Sequence, residues 1–105
     1  MTIETGSTNV YAHLGMPDAE EMLIKAQLAA KIGEIIKHRR LTQSKAAEIM
    51  GIPQPKVSAM LRGQFRGISE AKMLEAIARL GLEVKIVIGP SRRRSSPGHV
   101  ELEMV

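Results

Sequence analysis

The stretch from Thr42 to Gly63 constrains the fold more than any other part of the chain, because its punctuation fits two short helices joined by a tight turn. Thr42 is placed to cap a helix that starts at Gln43, and Leu41 before it can pack on Ala46 as a hydrophobic staple. That helix buries Ala46, Ala47 and Met50 and stops at Gly51, since glycine takes the left-handed conformation after a helix without steric cost. Ile52 turns inward, and Pro53 restarts the chain into a helix that buries Val57, Met60 and Leu61 and runs to about Arg62, where Gly63 ends it. Two helices that cross steeply need a small residue at the crossing, a glycine in the turn, an inward hydrophobe after it, and anchors one turn apart on the second helix. Ala47, Gly51, Ile52, and Val57 with Met60 or Leu61 meet those demands at the spacing of a helix-turn-helix.

The flanks supply the rest of a small bundle. Asp18 reads as a helix N-cap with Glu21 as its capping-box partner, and Glu20 and Glu21 suit the positive helix start. Ile24, Leu28, Ile32 and Ile35 then fall on one face of a helix reaching about Arg39, with Lys25, Lys31, Glu34 and Lys37 on the polar face. Ser69 can cap a further helix whose buried stripe is Met73, Leu74, Ile77, Ala78 and Leu80, closed by Gly81. From Leu82 to Ile88, Leu82, Val84, Ile86 and Ile88 alternate with Glu83, Lys85 and Val87, which predicts one strand ended by Gly89-Pro90. With one Tyr and one Phe, the core must come from Ile, Leu, Val, Met and Ala, and Met22, Met50, Met60 and Met73 sit at core spacing. The expected architecture is mainly α: a bundle of four to five helices plus one C-terminal β-strand. A flexible arm is expected over 1–17, the folded domain over 18–90 and a disordered tail over 91–105.

Charge points to a partner. Between Lys37 and Arg66 there are seven cations (Lys37, Arg39, Arg40, Lys45, Lys56, Arg62, Arg66) against Glu48 alone, a local +6 in a chain whose total is +4. The remainder is therefore mildly acidic, and the basic block invites a polyanion. Other chemistries lack their residues. There is no Cys for a disulfide, thiolate site or thiol nucleophile, and His13, His38 and His99 are scattered without metal-ligand spacing, so no cofactor or metal is expected. Glu20 and Glu21 are adjacent rather than facing, Ser58 has no activating partner, and glycine phosphate loops are absent, so no enzymatic activity is expected. No apolar run approaches the length of a membrane span, roughly 20 residues, and the first ten residues lack signal-peptide character, which makes the cytoplasm the expected compartment.

At this point a family resemblance becomes specific. Arg40-Leu41-Thr42-Gln43, Ala46-Ala47, Gly51-Ile52-Pro53-Gln54-Pro55-Lys56-Val57-Ser58 and Leu61-Arg62-Gly63 resemble the phage-repressor (XRE/Cro) type of helix-turn-helix. With Asn9-Val10-Tyr11, Leu14-Gly15, Asp18-Ala19-Glu20-Glu21-Met22 and Arg62-Gly63-Gln64-Phe65-Arg66-Gly67-Ile68-Ser69, the chain over about residues 9 to 90 is similar to the subgroup of HigA-like antitoxins. It departs at Lys45, where many repressor relatives carry Glu, and at Pro55, where many place a polar base reader. The resemblance implies a repressor of its own promoter that also neutralises a RelE/HigB-like toxin of the mRNA-cleaving type. The alternative is a stand-alone phage-type regulator with no toxin partner.

Residue roles follow from helix geometry. With Val57, Met60 and Leu61 inward, Pro55, Ser58, Ala59 and Arg62 face outward and Gln54 and Lys56 flank the leading turn, the part of such a helix that reaches base edges. Gln54 suits adenine, Lys56 guanine or a phosphate, Ser58 either base or phosphate, and the Pro55 ring and Ala59 methyl a thymine methyl. Thr42, Gln43, Lys45, Arg62 and Arg66 are the expected phosphate contacts, with Arg39 and Arg40 either extending them or complementing the helix dipole. A lone strand leaves backbone groups unpaired, so Leu82 to Ile88 is expected to pair with a second copy through Val84, Ile86 and Ile88, giving a two-fold homodimer on double-stranded operator DNA.

Overall fold

The computed structural model describes residues 18–90 and 97–105, so the expectations for the arm over 1–17 and for the tail over 91–96 lie outside the described residues. It contains four helices, α1 (Ala19–His38), α2 (Gln43–Met50), α3 (Gln54–Leu61) and α4 (Glu70–Arg79). α1 is about 30 Å long and forms the spine. Ile24, Leu28, Ile32 and Ile35 are all buried along it, joined by Met22, Ala29 and Ile36. The four methionines expected in the core, Met22, Met50, Met60 and Met73, are all buried.

The start of α1 departs from the expected capping box. Asp18 precedes the helix without a side-chain cap hydrogen bond. Its Oδ2 instead accepts from Arg66 Nη1 at 2.8 Å, and Glu21 pairs with Lys25 at 3.4 Å. A carboxylate drawn to a guanidinium across the fold is no longer aimed at the first turn's N–H groups. Lys25, assigned to the polar face, is 5% exposed. Its stem packs along the core, as long amphipathic side chains can, while its Nζ reaches the carbonyl of Arg66 at 3.4 Å.

α2 and α3 form as the sequence requires. Thr42 Oγ1 accepts from the Lys45 N–H at 3.0 Å, satisfying one of the donors a helix start leaves unpaired. Gly51 takes φ 69° and ψ 32°, and its N–H and that of Ile52 both bond the Ala47 carbonyl, closing the helix in the left-handed turn. Ala46, Met50, Ile52, Val57 and Met60 are at most 4% exposed, so the motif and its turn are one piece of core. Leu61 packs at the core margin, where its Cδ2 would lie 3.4 Å from a Cβ at Gly33 of α1.

α4 closes the bundle against α1 and α2. Ser69 Oγ accepts from the Lys72 N–H at 3.1 Å, the expected cap. Met73, Ile77 and Leu80 are buried with Leu74 partly so, but Ala76 occupies the inner face and Ala78 is exposed. At 100° per residue Ala78 is turned well away from Met73, whereas Ala76 is one turn on and faces inward.

The strand expected over Leu82 to Ile88 does not form in the single chain. The segment is extended, with Leu82 and Val84 leaning on the core, but it has no ladder, and among the described residues there is no β-strand. Ile86, Val87 and Ile88 are 78%, 85% and 92% exposed. A strand is defined by a partner's hydrogen bonds, and this segment has none within the described chain. Residues 97–105 return to the domain, where Leu102 packs on the core and the Val100 N–H donates to Glu20 Oε1.

Candidate nucleic-acid interface

The starts of α2 and α3 lie side by side. Gln54 Nε2, at the first position of α3, donates to Gln43 Oε1, at the first position of α2, over 3.0 Å. Gln43, Ser44 and Lys45 on one helix and Gln54, Pro55 and Lys56 on the other are all exposed, so two helix N-termini open onto the same surface. Their electrostatics differ from those of the other two helices. α1 carries Glu20 and Glu21 in its first turn and α4 carries Glu70, whereas α2 and α3 carry no acid there. Acidic side chains in a first turn offset the positive end of the helix dipole. The two helices of the motif keep that positive end available, with Lys45 and Lys56 adding full charges beside it. Such an end holds oxyanions, and phosphates above all.

Val57 and Met60 anchor α3 inward and orient its outer residues. Lys56 and Pro55 stand exposed, while Ser58 and Ala59 are half-buried along the flank. The Ser58 hydroxyl accepts from Arg62 Nη1 one turn later, so Arg62 lies along the helix with its other donors outward. Lys45 is 3.9 Å from Glu48, a weak exposed pairing that leaves its charge available.

The basic block is thus not a single face. Lys45, Lys56 and Arg62 share the surface of the motif, but Arg66 is bound to Asp18 and ties the loop after α3 to the start of α1. Arg39 donates to the Leu80 carbonyl, joining the end of α1 to the end of α4, and Arg40 holds φ 53° in the connection to α2. Two contacts are not expected from the sequence: the bond between Gln43 and Gln54, and the packing of Arg79 on the turn. The Gln43–Gln54 bond had a usable signal, since the spacing of the motif sets the first residues of its helices beside each other. Arg79 had none: its guanidinium, held by Glu75 at 3.0 Å, lies over the turn, 2.8 Å from where a Cβ at Gly51 would be.

Among the described residues no group of His, Asp and Glu side chains is arranged to hold a metal ion, and no helix is long and apolar enough to cross a membrane. The paired helix starts, the left-handed glycine turn and the buried anchors define a helix-turn-helix protein. Residues 10–89 match the family model described as a helix-turn-helix domain, and the chain belongs to that family. A solved structure described as an XRE family transcriptional regulator is similar to it with a TM-score of 0.73 and 34% sequence identity, covering 85% of this chain and 100% of that one. No curated protein gives a significant match.

Proposed function

We propose that the chain is a sequence-specific DNA-binding transcriptional regulator that lays α3 in the major groove. The observation that carries this reading is the Gln43–Gln54 bond, which fixes two acid-free helix starts on one exposed, basic surface. Gln54 and Lys56 read base edges, with Pro55, Ala59 and Ser58 beside them, and Gln43 holds Gln54 in place while contacting a phosphate. Thr42, Lys45 and Arg62 complete the backbone contacts. Arg66 joins them by leaving Asp18, whose exposed pairing is weak enough to exchange for a phosphate.

The regulator acts as a two-fold dimer through Leu82–Ile88, because a pair of motifs reads half-sites about 34 Å apart and the exposed Ile86 and Ile88 need a cover. Placing Pro at Val84 or Ile86 then gives monomers by sedimentation, and a persistent dimer would remove strand pairing from the account. The finer reading, supported by the resemblance to HigA-like antitoxins, is repression of its own promoter together with neutralisation of a RelE/HigB-like toxin in the cytoplasm. A stand-alone regulator is the alternative, and an adjacent reading frame encoding a small basic toxin discriminates between them. Footprinting on the DNA upstream of the chain's own coding sequence tests the core proposal. One protected site of two half-sites supports it, and binding that shows no preference for that DNA over an unrelated duplex contradicts it.

A further inference from the structure

Three helices of the fold are preceded by a residue whose side chain can cap them, and two of those residues do so. Thr42 at ψ 158° and Ser69 at ψ 154° stand in extended backbone, and each accepts from the N–H three residues on, that of Lys45 at 3.0 Å and that of Lys72 at 3.1 Å. Asp18, an equally good capping residue, stands at ψ 33° before α1 and makes no side-chain cap bond. Its Oδ2 is held by Arg66 at 2.8 Å, and its Oδ1 is buried with no hydrogen-bond partner among the described residues. A buried polar oxygen left unpaired is costly, so the pairing with Arg66 serves Asp18 less well than the cap would.

Arg66 is placed to change partners without disturbing the fold. Phe65 and Ile68 on either side of it are buried, the Ile68 N–H donates to the Phe65 carbonyl at 3.2 Å, and the Arg66 carbonyl accepts from Nζ of the buried Lys25 at 3.4 Å. The backbone is therefore anchored while the Arg66 side chain is 60% exposed. It stands on the loop that begins directly after α3, four residues beyond Arg62. A guanidinium offers a phosphate the same paired donors it offers a carboxylate, so the two anions compete for one cation.

We propose that Asp18 is an internal competitor for Arg66 that sets the operator affinity of the regulator: a DNA phosphate displaces it, and the released carboxylate turns to cap α1 through the Glu21 N–H. The inference rests on the DNA-binding reading above, with Arg66 as one of its phosphate contacts. Glu21 holds in α1 the third position that Lys45 and Lys72 hold in α2 and α4. The Asp18 carbonyl already accepts from the Met22 N–H at 2.9 Å, so the first turn is in place to receive the cap. Capping satisfies one of the N–H groups a helix start leaves over and brings negative charge to the positive end of α1. Each side of the broken ion pair thus gains a new partner, and the competition weakens DNA binding without blocking it.

Operator affinity of the full chain, measured by fluorescence anisotropy at one low salt concentration for the wild type, Asp18→Asn, Arg66→Ala and the double variant, tests the competition. Asparagine caps a helix as well as aspartate does but carries no charge to hold Arg66. Asp18→Asn is expected to tighten operator binding about two- to fivefold, the range of an exposed ion pair, and to give no gain in the Arg66→Ala background. Affinity unchanged by Asp18→Asn would overturn the competition. So would a gain that persists undiminished without Arg66, since removal of a negative charge would then be enough. A wild-type chain with no preference for its operator would overturn the DNA-binding reading itself. Amide exchange followed by NMR on the wild-type chain reads the other half of the proposal. On saturation with operator the Glu21 N–H should exchange more slowly than in the free chain, and an unchanged Glu21 amide in the complex would overturn the transfer of Asp18 to the cap.

Discussion

Ile32 and Ile88 carry the same side chain into opposite surroundings. Ile32, in the middle of α1, is 0% exposed, whereas Ile88, at the end of the extended segment, is 92% exposed. The helical region completes itself within one chain: caps at Thr42 and Ser69, a glycine turn at Gly51 and inward anchors on every helix satisfy each element from nearby residues. The segment Leu82–Ile88 has an equally clear alternation but, among the described residues, no ladder hydrogen bonds, because helices bond to themselves and strands bond to something else. A helix-forming pattern is therefore sufficient alone, while a strand-forming pattern specifies half of a contact.

That contrast can be broken or sharpened by substitution. Ile32→Ala removes fully buried methylenes and should cost about 2–5 kcal/mol in chemical denaturation. Ile88→Ala, measured where the chain is monomeric, should change stability by no more than about 0.5 kcal/mol. Equal losses at the two positions would mean that Ile88 is buried in the single chain as well. Gly51→Ala forces a Cβ into the left-handed region and towards Arg79, and should cost about 1–2 kcal/mol. Thr42→Ala should lose about 1 kcal/mol with the cap bond to Lys45. A smaller effect than at Thr42 is expected at Asp18, which makes no cap bond: Asp18→Ala removes only a partly exposed ion pair worth about 0–1 kcal/mol, and a loss exceeding that of Thr42→Ala would restore the capping role it lacks in the structure.

Most of the fold was legible because its determinants are local. Gly51, Thr42, Ser69 and the stripe from Ile24 to Ile35 declare themselves by spacing alone. The errors arise where residues distant in sequence compete for a local role. Asp18 has the residue type of a cap, but Arg66, far along the chain, claims its carboxylate; Lys25 has the charge of a surface residue, but the Arg66 carbonyl gives its Nζ a partner inside. The candidate site shows the same division. Gln54 and Lys56 were placed on the exposed leading turn of α3 by its buried anchors Val57 and Met60. The bond from Gln54 to Gln43 and the contact of Arg79 with the turn depend on how α2, α3 and α4 meet.

The central claim is that the paired starts of α2 and α3 read DNA, and it is tested most directly by comparing operator affinity of the chain with that of the double variant Gln54→Ala, Lys56→Ala. Fluorescence anisotropy at one fixed salt concentration on the footprinted upstream site, with circular dichroism and sedimentation showing that fold and assembly are retained, isolates the contribution of the two side chains. Each base contact contributes about 1–3 kcal/mol of discrimination, so the account predicts that the variant binds the operator no better than unrelated duplex. Undiminished preference for the operator in a folded double variant would contradict it.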